Sequence, residues 1–352
     1  MTSKERVRKA LKREKPDRVP AAYNAVWEVT EKLLKHYNFD SIDKLRDKFE
    51  IDIVEAYPRY IGPELKTYKN AEGLSVKENF WGFENTTHIT EVGTYGVTTK
   101  FPLKGLDSIE AIDENYTFPS TDWFDYSSIA ETCEKYPDKA IIIGHEGPFQ
   151  IVNNLMEMDE FFMLMLDEPE VAQYILDKML EFELKHYRLA FEAGKGKVDI
   201  LRTHDDYGTQ ISMLFSPEMW KQFFKENTKK LVELSHEYDV FFMQHSCGAV
   251  GPIIPELIEC KVDALEPVQK TQGLEIDRLK ELYDGKITFH GGVDTQWLLP
   301  NATAQEVKEN AEYIINALGQ KGGYILMASQ AFETDVPIEN IEAVYQANRY
   351  VK

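Results

Sequence analysis

Near the middle of the chain, Val240-Phe241-Phe242-Met243-Gln244-His245-Ser246-Cys247-Gly248 runs from an apolar stretch into a histidine and a cysteine two residues apart, then a glycine that allows a sharp turn. Side chains at i and i+2 of an extended segment lie on one side, so the His245 imidazole and the Cys247 thiol can reach one ion. Nitrogen and sulfur ligands together favour zinc or another borderline metal over magnesium or calcium. Two ligands do not complete a site, and the same pair also suits a hydrogen-bonded strand end beside a small buried hydrophobe. Its weight depends on what lies at the ends of the other strands.

Those strands are legible as an alternation. After a charged helix over about 2–14, residues 18–23 read as a short strand, followed by an amphipathic helix to about 38 and a second strand over 51–57. Residues 58–118, rich in Thr, Gly, Tyr and Phe with period-2 runs, read as an antiparallel hairpin excursion. A helix near 121–136 then leads to a strand over 140–148, whose Ile141-Ile142-Ile143 run suits a parallel strand covered on both faces. Helices follow over 158–166 and 168–194, then a strand over 198–206. Ser216-Pro217-Glu218 opens the next helix with an N-cap serine and a proline in the first turn. The central stretch, 240–248, is the fifth strand; 263–269, 287–294 and 323–330 are the sixth to eighth. Helices near 251–259, 275–283, 303–319 and 338–349 separate and follow them. Eight strands alternating with helices predict a (β/α)8 TIM barrel over residues 1–352 as a single domain, with the excursion inserted after the second strand. A doubly wound open sheet is the alternative, and the first turn has no glycine-rich phosphate loop to support it.

Barrels of this kind carry their chemistry at the C-terminal ends of the strands. His145, His204, His245 and His290 all fall there, beside Glu146, Asp205, Asp206, Glu266 and Asp294. His245 and Cys247 are the candidate metal ligands, and the other strand-end histidines and carboxylates are expected to line a functional pocket. Any one of these histidines would serve equally as an orienting partner. His36, His88, His186 and His236 fall on helices or in the excursion, where solvated or structural roles fit better. The aromatic residues Phe80, Trp81, Phe83 and Tyr95 of the excursion suit packing onto the barrel, or a lid over a flat ring.

The chain has 60 Asp and Glu against 40 Lys and Arg, a formal charge of -20. That sign disfavours a nucleic-acid partner. Three scattered cysteines, Cys133, Cys247 and Cys260, do not make a disulfide framework and fit a reducing cytoplasm. No apolar run approaches the roughly 20 residues that cross a bilayer, so a cytoplasmic location without membrane contact is expected.

Several motifs occur in order along the chain: Ser3-Lys4-Glu5-Arg6-Val7 leading to Arg18-Val19-Pro20, Gly147-Pro148-Phe149, Asp205-Asp206-Tyr207-Gly208-Thr209-Gln210 leading to Ser216-Pro217, and His245-Ser246-Cys247-Gly248. Phe289-His290-Gly291-Gly292-Val293-Asp294 and Gly322-Gly323-Tyr324-Ile325-Leu326, ending at Pro337-Ile338-Glu339-Asn340, complete the set. As an ordered set they resemble the uroporphyrinogen decarboxylase superfamily, which includes decarboxylases of haem synthesis and corrinoid-dependent methyltransferases. The resemblance implies the same barrel. The decarboxylase branch carries arginines after the first strand and a catalytic aspartate after the second; here those regions read Tyr23-Asn24-Ala25-Val26-Trp27-Glu28 and Arg59. The methyltransferase branch holds zinc by a His-x-Cys pair and a further Cys on the last strand. His245 and Cys247 match the pair, and Gln330 stands at the third position.

The resemblance therefore implies an enzyme that moves a methyl group between a small molecule (a thiol, pterin or methoxy compound) and a corrinoid carried by a partner protein, with His204, Asp205, Asp206 and His290 catalytic, His245 and Cys247 holding metal, and His145, Glu146, Tyr207, Gln244, Glu266, Asp294 and Gln330 binding substrate. Glu146, Asp206, Glu266 and His290 are candidates to complete the zinc site. Without a third ligand, a metal-free transfer to a pterin nitrogen, with Asp205 or Asp206 fixing the ring and His204 or His290 supplying the proton, is the reading slightly favoured. Uroporphyrinogen decarboxylation, anchored by Arg59 and Arg202, is the alternative; a non-catalytic corrinoid- or pterin-binding relative is the third.

Overall fold

The computed structural model describes residues 1–348. Seven parallel strands pair in chain order into one sheet: Ile53–Glu55, Ala140–Ile143, Ile200–His204, Phe241–His245, Ala264–Val268, Thr288–Gly291 and Tyr324–Ile325. The sheet curls until its two edges meet on one short segment. Ala22 N–H donates to Leu326 O at 3.0 Å, Leu326 N–H to Pro20 O at 2.8 Å, and Asp52 N–H to Ala21 O at 2.8 Å. The segment expected as the first strand is thus the eighth staff of the barrel, held by a single parallel bridge between Ala21 and Leu326 rather than by a continuous ladder. Pro20 has no N–H to extend it. The (β/α)8 barrel expected from the alternation is the fold observed.

Side-chain parity divides each strand between lumen and outer face. Ala22, Ile53, Ala140, Ile142, Ile200, Met243, Ala264, Ile325 and Met327 form an inner buried cluster, closed below by Val7 and Leu11 of the helix Ser3–Leu11. That helix plugs the N-terminal end, and Thr288 Oγ1 donates to its Ala10 carbonyl at 3.2 Å. Val54, Ile141, Ile143, Leu201, Phe242, Leu265, Phe289 and Leu326 face outward into the larger core beneath the helices.

Three aspartates lock the closed end. Asp52, Asp199 and Asp263 each donate a backbone N–H to a residue of the preceding strand, Ala21, Ile141 and Phe242 respectively, and accept that residue's N–H on a carboxylate oxygen at 2.8–2.9 Å. Arg6 and Arg18 each lie 2.7 Å from Asp52 and neutralise it, as Lys4 and Arg8 at 3.0 and 3.2 Å do Asp199, and Nε2 of His236 lies 2.8 Å from an oxygen of Asp263. The opening motif, Ser3 to Val7 and Arg18 to Pro20, therefore serves closure of the barrel.

The excursion is a four-stranded antiparallel sheet, Thr67–Lys69, Ser75–Glu78, Glu84–Ile89 and Thr94–Lys100. Trp81 and Phe83 are buried, and Phe80 and Trp81 pack on Phe182 of the long helix Pro169–Gly194 with ring centroids 6.3 and 5.1 Å apart. Packing onto the barrel is the outcome for these rings. The strand expected to reach residue 148 ends at Ile143, because Pro148 opens a helix, Pro148–Leu155, that the sequence reading did not contain. Ser216 caps the helix Pro217–Phe223 as expected. The last helix runs Ile338–Gln346; residue 349 of the expected span lies outside the described residues. Among the described residues no helix is long and apolar enough to cross a membrane.

Candidate metal centre and active face

Parity decides which strand-end residues meet. Glu55, Arg202, His204, His245, Glu266 and His290 continue the inward-facing series and converge above the apolar plug. At their centre lies Glu266, 1% exposed. Its carboxylate is 3.4 Å from the Arg202 guanidinium, which also holds Glu55 at 2.7 Å, and faces Nδ1 of His245 at 3.7 Å and Nδ1 of His290 at 3.6 Å. Burial alone would raise this carboxyl, but Arg202, His290 and His245 outweigh it and hold it well below the carboxylate range.

On the other edge of the His245 ring, Nε2 lies 3.4 Å from the Cys247 sulfur and 3.4 Å from Asp206 Oδ1. The ligand atoms of Asp206, His245 and Cys247 all lie within 4.8 Å of one another, the one such cluster of His, Cys, Asp and Glu among the described residues. With Zn–S about 2.3 Å and Zn–N or Zn–O about 2.0–2.2 Å, neighbouring ligands of a tetrahedral ion are roughly 3.3–3.6 Å apart, so the two measured edges fit zinc. Of the four candidates to complete the pair that the resemblance leaves open, Asp206 is the one whose carboxylate lies within reach of both His245 and Cys247. Gln330 adds no ligand; its Nε2 lies 2.7 Å from the Cys247 sulfur and donates to it. Three protein groups with one open position is the pattern of a catalytic rather than a structural zinc site.

Burial would raise the Asp206 carboxyl, yet hydrogen bonding and charge from His245 and the Cys247 N–H, at 2.8 Å, bring it down to about 2. Burial opposes a charged His245, but Asp206, Cys247 and Glu266 together raise it well above the ordinary histidine range. Beside it, His204 stacks at 4.5 Å and 24°; burial and then the His245 charge push His204 well below that range, so it is neutral.

The turn after Cys247 is fixed by close backbone contact. Gly248 has φ +87°, and a Cβ there would sit 2.3 Å from the carbonyl carbon of Gly208. Its N–H donates to Gln269 Oε1 at 2.6 Å, and Ala249 N–H donates to Thr209 O at 2.8 Å. Gln269 and Glu55 were absent from the sequence reading. Parity from Ile53 could have found Glu55; nothing in the sequence marks Gln269.

Other expected site residues stand apart. Asp205 has outward parity; its carboxyl accepts the Gln150 N–H and the Tyr207 hydroxyl, both at 3.0 Å, and burial pushes it up to about 7. Tyr207 is buried between Phe149, Phe215 and Trp220. Gln244 is buried with outward parity, donating to the His245 carbonyl at 2.9 Å. His145 also faces out, its Nδ1 donating to Glu146 O at 2.6 Å and its ring stacked 5.3 Å from Tyr187 of the long helix. Asp294 accepts the N–H groups of Gln296 and Leu298 and caps the following turn. Glu146 is exposed at the rim, its backbone bridged to that of His204. Arg59 is 57% exposed and paired with Asp125 and Glu131, each at 3.2 Å. Cys133 and Cys260 are buried free thiols away from the cluster.

No curated protein matches the chain. A solved structure, a methyltransferase from Methanosarcina mazei, superposes with a TM-score of 0.67 at 18% identity, covering 99% of this chain and 98% of that one; the likeness establishes a shared fold. A family model described as uroporphyrinogen decarboxylase (URO-D) matches residues 98–350, most of the chain and every strand end from His145 onward. With the barrel and the ordered motifs already in place, that match makes the chain a member of the uroporphyrinogen decarboxylase family.

Proposed function

We propose that this chain is a methyltransferase of the family, moving a methyl group between a small molecule and a corrinoid carried by a partner protein, with zinc held by Asp206, His245 and Cys247. The observation that carries the reading is the triad, whose two edges of 3.4 Å suit a tetrahedral ion; three protein ligands would leave its fourth position to an acceptor. Zinc bound there would hold an acceptor thiol as thiolate near neutral pH, where a free thiol of pKa about 8.5 is mostly protonated. The protein's own groups do the rest. Gln330 donates to the Cys247 sulfur and lowers the basicity of that ligand. Asp206 balances charge, and neutral His204, stacked on the His245 ring with its Nε2 unpartnered, is available as a proton acceptor. The likeness to a methyltransferase structure is in keeping with this reading. Finding Asp206 beside the pair moves the balance from a metal-free pterin acceptor toward a thiol.

Decarboxylation of a polycarboxylate needs free cations. Arg202 is already committed to Glu55 and Glu266, and Arg59 to Asp125 and Glu131. The test is metal analysis of protein prepared without chelator, beside the double variant His245→Ala, Cys247→Ser, followed by methyl exchange with free methylcobalamin and thiol, pterin or methoxy-aromatic partners. About one zinc per chain, lost in the variant, with exchange to a thiol supports the proposal. Absence of exchange with every partner sinks it, and carbon dioxide release from uroporphyrinogen replaces it with the decarboxylase reading. Corrinoid binding without turnover would instead indicate a non-catalytic relative.

A further inference from the structure

The lumen holds one arrangement that the triad does not use. The Glu266 carboxylate spans two imidazoles, Oε2 facing Nδ1 of His245 at 3.7 Å and Oε1 facing Nδ1 of His290 at 3.6 Å. Both nitrogens are buried without a hydrogen-bond partner, and so is Nε2 of His290, a residue only 2% exposed. A shift of about half an ångström brings either Nδ1 within hydrogen-bonding range of the carboxylate. An ionised carboxylate only accepts, so each Nδ1 facing it carries a proton; zinc would replace the second proton of His245 at Nε2, and an imidazole of His290 protonated at Nδ1 alone keeps its lone pair on Nε2. Arg202 holds Glu266 in place and, through Glu55 at 2.7 Å, is itself anchored from the opposite side.

We infer that Glu266 is a positioning residue for two histidines at once: it turns Nε2 of His245 toward Asp206 and Cys247, and fixes His290 as an Nδ1–H imidazole whose Nε2 accepts a proton-bearing group of the substrate, a thiol or hydroxyl. Glu266 lies on the Nδ1 edge of His245, away from the triad, and acts through that ring rather than as a fourth ligand. The orientation of His245 toward metal rests on the function proposed above; the tautomer of His290 does not, and this separates the two tests. Carboxylates that orient a metal-ligating histidine are typically worth 10–100-fold in metal affinity.

The experiment uses zinc titration against a chromophoric chelator together with side-chain 15N spectra of labelled protein, with signals assigned by their loss in His245→Gln and His290→Gln. In wild-type protein with zinc, both histidines should show protonated Nδ1 and unprotonated Nε2. Glu266→Gln leaves Arg202 paired with Glu55; it should weaken zinc binding about 10–100-fold and shift the His290 tautomer. Zinc affinity within twofold of wild type in Glu266→Gln, with the His290 signals unmoved, overturns the inference and leaves the metal centre intact. If wild-type protein takes up no zinc, the metal reading fails and the His290 signals alone decide: a proton on Nε2 with none on Nδ1 overturns the role of Glu266, and one on Nδ1 upholds it. The same wild-type measurement decides if the variant does not fold.

Discussion

The two ends of the barrel treat buried polar groups in opposite ways. At the closed end, Asp52, Asp199 and Asp263 each accept a backbone N–H and meet at least one Arg, Lys or His side chain. At the open end, the lumen histidines His204, His245 and His290 each keep at least one buried ring nitrogen without a hydrogen-bond partner. A buried polar atom left unpaired costs about 1–3 kcal/mol, so a run of them at one face is stability given up where a ligand is to supply the missing partners. Paired ions at the other face hold the staves in register, and their loss should leave the site chemistry untouched.

The largest effect expected from this contrast is at the closed end. Asp52 is fully buried, and Asp52→Asn leaves Arg6 and Arg18 without their shared counter-charge while keeping the side chain's size. We expect a loss of roughly 3–5 kcal/mol in urea unfolding. Zinc uptake by the protein that remains folded should be unchanged. A variant that unfolds normally but loses zinc would mean that the two ends are coupled, and would break the comparison.

A smaller loss is expected at the open end from Gly248→Ala. The added methyl meets the Gly208 backbone and sits at φ +87°, so about 1–3 kcal/mol of stability should go. Here, unlike at Asp52, zinc affinity should fall with stability, because the turn carries Cys247. Unchanged affinity would show that Gln269 and Thr209 can reseat the loop.

How much of this was legible in the sequence differs between the same two ends. The alternation, the order of the staves and the His-x-Cys pair were visible in residue types alone, and the convergence of His204, His245, Glu266 and His290 follows from their place at strand ends. Being at a strand end, however, does not say which face a side chain takes. Counting by twos from Ile200 and Met243 puts Arg202, His204, His245 and Cys247 inside, and Asp205 and Gln244 outside. The same count from Ile142 turns His145 onto the long helix. The pairing of Arg202 with Glu55, and of Arg59 with Asp125 and Glu131, was not readable, since those partners come together only when distant segments fold. The count that puts Asp205 outside returns Asp206 to the lumen side, and the hydrogen bond from the Cys247 N–H shows which way its carboxylate turns there, toward the candidate metal position.

Glu183 offers a pH-dependent test between the two ends. It lies on the long helix, fully buried, with neither oxygen hydrogen-bonded, and burial together with the nearby Asp205 raises its carboxyl well above the ordinary value. The native state therefore keeps a proton that the unfolded chain releases above about pH 4.3, and stability falls as pH rises from there through the raised value. Glu183→Gln removes that proton exchange. Its melting temperature should match wild type near pH 4 and exceed it progressively toward pH 8. Parallel curves for the two proteins would show that Glu183 is ionised and partnered in solution, like the carboxylates of the closed end.

The smallest stability effect should come from the residue closest to the proposed chemistry. His204 is neutral, its Nε2 has no hydrogen-bond partner, and its ring lies flat on His245. His204→Phe keeps a ring of similar size in the same stack and removes an unpaired nitrogen from the lumen. The expected change in unfolding free energy is less than about 1.5 kcal/mol, of either sign. If the open end gives up stability for ligand contacts, methyl exchange should fall at least tenfold in this variant while its melting temperature stays near wild type. A loss of stability as large as that of Asp52→Asn, with exchange surviving, would reverse the assignment and make the His204 ring part of the frame rather than of the site.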